Sequence, residues 1–243
     1  CPVDVCNHSC VIISVRKNVL FMATYWCTFY LIADVLKFHN EHSGIANILL
    51  SLIQVYEPGF NQWSTEFLLT DSTYKYGNPV AIFNSQNLMN YFKKLDYKFD
   101  EMVAFDPKLN ETLLSYLHLT DKIKRKKRVI IYGRPNVARN SFLMIVEALN
   151  KMIEKYNPDS EWEYLSIGGN HKSIKLKNGN TLVAGGKLTL EKYAEILAES
   201  SVGVSLMCSP HPSYPPLEMA AFGVQTVTNS FLCKDLSRFR ENI

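Results

Sequence analysis

The stretch RVIIYGRPNVARNSFLMIVEALNKMIEKY, residues 128–156, decides the fold. Residues 128–133 are a short apolar run closed by a glycine and read as a buried strand. A turn containing Pro135 follows, and from residue 140 to 156 apolar side chains recur at helical spacing. Strand, turn and helix in that order begin a βαβ unit, whose completion requires a second strand parallel to the first.

The alternation continues toward the C-terminus. EWEYLSIGG (161–169) and NTLVAGG (180–186) read as strands. Thr189 is placed to cap the helix LEKYAEILAES, and Glu191 suits its positive start. VGVSLMCS (202–209) is a further strand. PPLEMAAFG is a short helix, opened by prolines and ended at Gly223, and VQTVTNS is a strand after it. The N-terminal half shows weaker alternation of the same kind. VIISV (11–15), ANILLSLIQVYE (46–57), VAIFNS (80–85) and MVAFDP read as strands, the second broken by Pro58 and Gly59. ATYWCTFYLIADVLKFH reads as a helix. WSTEFLLTDSTYKY (63–76) is another, with Ser64 or Thr65 near its start, and Ser85 can cap QNLMNYFKKL. The expected class is α/β, two domains of parallel sheet with crossover helices. The basic run DKIKRKKR (121–128) divides them into residues 1–126 and 127–243. Ligands of such sheets bind beyond the carboxyl ends of the strands, here expected in a cleft between the domains.

Composition narrows the function classes. The chain has 243 residues, 47% hydrophobic and 20% charged, as ordinary globular proteins do. A net charge of +3 is too small to argue for nucleic acid, and none is expected as a partner. Six of the eight residues of the basic run are Lys or Arg. The run reads as a solvated linker, with a patch for phosphates or a membrane surface as the alternative. Residues 19–36 approach the length of a membrane span, but Asp34 is costly at mid-bilayer, so a strand or loop running into a helix is expected. Cys1, Cys6, His8 and Cys10 lie close together in sequence, yet their spacing is not the paired C-x2-C of structural zinc. Free thiols, Cys27, Cys208 and Cys233 among them, are the expected state, and no metal is expected. The chain starts at Cys1 and stops at ENI, soon after a strand, and reads as a piece cut at both ends.

The residues that follow each C-terminal strand carry the chemistry. After RVIIYG, which ends at Gly133, come Arg134 and Arg139. After NTLVAGG comes Lys187. After VGVSLMCS come His211, Ser213, Tyr214 and Glu218. Cations and one carboxylate therefore share a rim of the expected sheet. Arg can hold phosphate oxygens bidentately, Lys adds a point charge, and amides at a helix start add affinity for anions. Glu218, expected in the first turn of its helix, suits a ribose diol, and it equally suits capping the amides of its own helix. Gly168 and Gly169 fit either a ligand against the backbone or a tight turn. Trp26 and Trp63 read first as core or cleft-wall aromatics. His8, His39, His42, His118 and His171 form no usable arrangement, and no Ser-His-Asp or Cys-His order stands out.

The run from Glu218 to Gly223, E-M-A-A-F-G, resembles the E-A-x-A-x-G helix of family 4 GT-B glycosyltransferases. IYGRPNVARN and SLMCSPHPSYPPLEMAAFG are similar to the rhamnan-synthesis branch of that class, the WsaF-like rhamnosyltransferases. So are FMATYW (21–26), YEPGFNQWSTEF (56–67), STYKY (72–76), AIFNS (81–85) and FDPKLN (105–110), and the likeness runs from about Phe21 to the end. The resemblance implies a GT-B fold, two Rossmann-like domains facing a cleft, and a nucleotide-sugar donor, most specifically dTDP-L-rhamnose, held mainly by the C-terminal domain. It assigns Arg134 and Lys187 to the pyrophosphate and Glu218 to the ribose, with Gly133, Arg139, His211, Ser213 and Tyr214 around them. It implies retention at the anomeric carbon, no metal or other cofactor, and a glycan or lipid-linked glycan acceptor bound by the N-terminal domain. A cytoplasmic setting follows, with peripheral association at the inner face of the membrane. The absence of a DxD motif agrees with a leaving group neutralised by cations and helix ends. Two positions depart from the pattern. Pro210 stands eight residues before Glu218, where family 4 enzymes often place another glutamate. Val55 stands in QVYEPGF where the branch often has aspartate, leaving Glu57 as the candidate catalytic carboxylate. A catalytically weak or inactive nucleotide-sugar-binding relative within a synthase complex is the alternative that these departures support.

Overall fold

A computed structural model describes residues 19–243. The VIISV strand and the Cys1, Cys6, His8 and Cys10 group lie outside the described residues. The chain forms two compact units divided between Asp106 and Pro107.

The first unit is built on a four-stranded parallel sheet, β1 (Phe21–Ala23), β2 (Leu49–Ile53), β3 (Val80–Phe83) and β4 (Glu101–Ala104), in that spatial order. The connections are α1 (Trp26–Ser43), α2 (Thr65–Thr73) and α3 (Gln86–Lys94). As expected, the apolar stretch after residue 19 is a strand running into a helix, and no described helix is long and apolar enough to cross a membrane. Ser64 Oγ accepts from Phe67 N and Ser85 Oγ from Leu88 N, so both expected caps form. The core beneath β3 is largely aromatic: Phe83 and Phe92 are fully buried and pack edge-on at 5.1 Å.

The second unit holds β5 (Lys126–Gly133), β6 (Glu163–Gly168), β7 (Ile174–Lys175), β8 (Thr181–Gly186), β9 (Ser200–Val204) and β10 (Gln225–Val227). Their order is β10-β9-β5-β6-β8-β7, all parallel except the β7–β8 pair. Crossovers are α5 (Phe142–Tyr156), α6 (Leu190–Glu199) and α7 (Tyr214–Ala221), and Thr189 caps α6 by accepting from Lys192 N. The strand that opened the sequence reading is central and buried on both faces. Val129 and Ile131 pack with Ile145, Leu149 and Ile153 of α5, while Ile130 packs with Leu197 of α6 and Met219 of α7. This explains why β5 reads as an unbroken apolar run rather than an alternating one.

The division falls earlier than the expected 126/127 boundary. The short helix α4 (Glu111–Leu114) brings Leu113, fully buried, into the second unit's core beside Ala194 and Leu197, and Leu117 and Ile123 follow it. The basic run is not a linker either. Its last three residues open β5, and Arg125 donates to the carbonyls of Ser200 and Phe222, just beyond the ends of α6 and α7. Lys126 and Arg128 both bond Glu199, Arg128 also bonds Glu163, and Lys127 pairs with Asp159 and Glu161. Most of the run's charge is thus answered within its own unit, which leaves little of it for a membrane or phosphate patch.

Candidate functional site

In the second unit the chain leaves β5 toward β6 and β8, then returns to place β9 and β10 on the other side of β5. Crossovers diverge at the β5–β9 pair, and a crevice beyond the carboxyl ends of two such strands is where open α/β sheets bind ligands. Arg134 and Arg139 follow β5, and His211 and Ser213 follow β9. The topology therefore gathers residues that lie about seventy positions apart in sequence, as only a tertiary crossover can.

Arg134 and Arg139 are both half-buried. Burial, then the neighbouring Arg134 charge, lowers the Arg139 guanidinium from its usual range. Such mutual repulsion between cations is relieved by a bound anion. His211 is 6% exposed and its Nε2 has no partner. Burial, then Lys234 and Arg139, lowers His211 to about 4, so its ring is neutral at physiological pH. Ser213 is buried at the N-cap of α7, with its side chain making no cap bond, and Tyr214 is the first helical residue.

Glu218 is in the second turn of α7, not the first, because the helix begins at Tyr214. Its Oε2 accepts from the Tyr193 hydroxyl of α6 at 3.0 Å, and burial raises the carboxyl against that bond. Tyr193 also lines a cavity of about 210 Å³ together with Tyr132, Ile167, Leu188 and Lys187. Lys187 is exposed at its mouth, just past β8. A carboxylate held by a phenol thus stands beside an aromatic-lined cavity with a cation on its rim.

The glycines after the strands serve packing. A Cβ on Gly168, whose φ is 103°, would lie 2.7 Å from the Tyr132 ring, and one on Gly133 would meet Ser166 Oγ at 2.0 Å. Glycine is thus required at Gly133 by the Ser166 side chain and at Gly168 by its positive φ together with the Tyr132 ring. Gly169 is similar, facing the Gly133 carbonyl at 3.0 Å.

Glu57 belongs to the first unit. It opens a 3-10 turn (Glu57–Phe60) beyond β2 and is 6% exposed. Its Oε2 accepts from the Trp26 amide at 3.0 Å, which satisfies the first amide of α1. Burial, opposed by that amide, pushes Glu57 up to about 7. Trp26 is half-buried with its indole N–H unpaired, whereas Trp63 is 92% exposed and so is no core residue.

Sequence reasoning missed Tyr132, Tyr193 and Lys234. The two tyrosines sit in ordinary apolar patterns of a strand and a helix, and Lys234 is one lysine in a loop, so nothing local marked them. It also missed a bond between Ser166 Oγ and His171 Nε2 at 2.7 Å, in which the serine is fully buried. Among the described residues, no group of three or more His, Cys, Asp or Glu is placed to hold a metal ion.

The fold is of the GT-B glycosyltransferase type. It matches sucrose-phosphate synthase from Thermosynechococcus elongatus with a TM-score of 0.61 at 13% identity, over 90% of this chain and 57% of that one. The GtfA/B complex matches with a TM-score of 0.56 at 12% identity, over 86% of this chain and 42% of that one. The chain belongs to the WsaF family: the WsaF C-terminal domain matches residues 127–243 and the WsaF N-terminal domain residues 3–86. The O-antigen biosynthesis protein RfbC of Myxococcus xanthus is 30% identical over 217 residues, covering 86% of this chain. The chain spans 15% of the length of that relative.

Proposed function

We propose that the chain is a glycosyltransferase of polysaccharide or O-antigen biosynthesis that moves L-rhamnose from dTDP-L-rhamnose to a growing glycan. Membership of the WsaF family and the RfbC relative support the class. The observation that carries the site is the Tyr193–Glu218 bond at the edge of the cavity that Lys187 flanks. In this reading the carboxylate accepts from the ribose hydroxyls, the aromatic lining takes the base, and Arg134, Arg139 and Lys187 face the diphosphate. In transfer, the bond from the anomeric carbon to the diphosphate oxygen breaks with its electron pair. A bond to the acceptor hydroxyl oxygen forms, and the hydroxyl proton passes to the departing diphosphate. Fixed cations at that oxygen lower the barrier without reorganisation. The reading needs no metal for this step.

Calorimetry with dTDP, UDP and GDP tests it. Selective dTDP binding, sharply weakened by Arg134→Ala and followed by rhamnose transfer to a glycan, is the expected result. Failure to bind any of the three would reject the site.

A second reading has its own observation. Glu57 is already bonded to the Trp26 amide and buried, and Val55 offers no carboxylate beside it. A chain that binds dTDP-rhamnose but transfers weakly fits this pair of facts. Val55→Asp then raises turnover; an unchanged rate would remove its support.

A further inference from the structure

Lys234 has no role in the site so far, yet its environment is unusual. It is 1% exposed, past β10, and its Nζ donates to Met207 O at 2.6 Å and to Asn229 Oδ1 at 3.3 Å. Asn229 Oδ1 also accepts from Met207 N at 2.8 Å, and Thr228 Oγ1 donates to Ser205 O at 2.7 Å. From the opposite side Cys208 N donates to Arg139 O at 2.7 Å, and Ser141 Oγ lies 3.2 Å from Cys208 Sγ. The segment that leaves β9 is thus gripped by the residues after β10 and by those after β5. Three residues beyond Cys208 is His211, with its buried and unpartnered Nε2.

A buried ammonium answered by neutral oxygens is unfavourable unless something else completes it. Of the titratable groups, Cys208 acts on Lys234, and Lys234 and Arg139 both act on His211. Its neighbour Asp235 is exposed and accepts from Ser237 N and Oγ. Lys234 and Arg139 are thus the cations that act on His211, and an incoming diphosphate has the opposite sign.

We propose that Lys234 is a positioning residue for the donor. It holds the segment from Ser205 to Ser213, and with it His211, in the form that receives the diphosphate and sugar of a nucleotide sugar. This rests on the donor-site reading above. Burial lowers the Lys234 ammonium to about 8, so the proton is kept below that pH and lost above it. The folded value lies below the unfolded one, so this group's contribution to stability improves as pH rises through 8 toward the ordinary lysine range. Donor affinity moves the other way and falls over the start of that window. A merely structural lysine would not give the two responses opposite signs.

The test uses the wild-type chain, Lys234→Arg and Lys234→Met, with dTDP affinity measured at pH 7 and pH 9 and hydrogen exchange followed over residues 205–213. At pH 7 Lys234→Met should bind dTDP about tenfold more weakly, the scale of one charge-assisted hydrogen bond, and exchange faster in that segment. Lys234→Arg should restore both. The wild type should lose about tenfold between the two pH values, and Lys234→Arg should not. Should Lys234→Met fail to fold, the wild-type pH profile against Lys234→Arg decides. Unchanged affinity in Lys234→Met, with either normal or faster exchange, would overturn the proposal while Arg134→Ala still weakens binding. A wild-type chain that binds no nucleotide would overturn the donor-site reading and this role with it.

Discussion

Each unit sets a glutamate beyond a parallel sheet, and the two carboxyls live in opposite surroundings. Glu57 in the first unit is bonded to a backbone amide and neighbours the buried ring of Tyr74. Glu218 in the second is bonded to a phenol, at a cavity edge with Lys187, in the unit where Arg134, Arg139 and Lys234 gather. Both carboxyls are raised by burial. The difference teaches that burial alone does not make a binding site. What the second unit adds is charge of the other sign and open space, and those come from its switch in strand order.

Four measurements would break or sharpen the contrast, from the largest effect to the smallest. Phe92 is fully buried among Tyr56, Tyr74, Phe83 and Tyr97. Phe92→Ala should cost the first unit about 3–5 kcal/mol. Denaturant unfolding should show that loss while dTDP still binds; loss of binding as well would mean that the second unit's site depends on the first.

The pH response of Glu57 comes next. Its folded value lies above the unfolded 4.5, so its contribution to stability is full below about 4.5 and lost as pH rises through about 7. The linkage amounts to about 3 kcal/mol at most. Glu57→Gln keeps an acceptor for Trp26 N, so it should flatten the dependence and stabilise the chain at pH 8. The same variant with normal stability but no rhamnose transfer would give Glu57 a catalytic role beyond its hold on α1.

Arg134→Ala should weaken dTDP binding by about 1.5–3 kcal/mol, or roughly tenfold to a hundredfold, if a charge-assisted bond to phosphate is lost. Glu57→Gln should leave that affinity unchanged. Equal losses in the two variants would erase the distinction between the units.

Tyr193→Phe is the mildest test. It removes one hydrogen bond to Glu218, about 1 kcal/mol, and should reduce dTDP affinity a few-fold. An increase in affinity would mean that the phenol competes with the ribose for the carboxylate.

Much of the fold was legible because apolar periodicity is local. The strand at residues 128–133, the α5 helix and the caps at Ser64, Ser85 and Thr189 all follow from spacing within a few residues. The rim residues Arg134, Lys187 and Glu218 were legible for the same reason: they follow predicted strands. One reading failed where long-range contacts decided. The basic run looked like a linker because its partners, Glu163 and Glu199, are far along the chain. The second unit's core also takes in residues ahead of position 127, because Leu113 packs beside Leu197. For Trp63, read as core or cleft wall, exposure removes the core alternative, since apolar character alone does not say which face of a turn meets solvent.

By itself, then, the sequence determined the order of the main strands and helices, though not β7 or α4, together with the α/β class and the family motifs, since each is written in local pattern. Tertiary structure decided that β9 lies beside β5 while β8 does not, that Tyr193 reaches Glu218, and that the Lys234 ammonium lies at Met207 O. Those pairings join residues separated by tens of positions. Their energy comes from burial and hydrogen bonds made only once the crossovers have closed, and no local propensity encodes it.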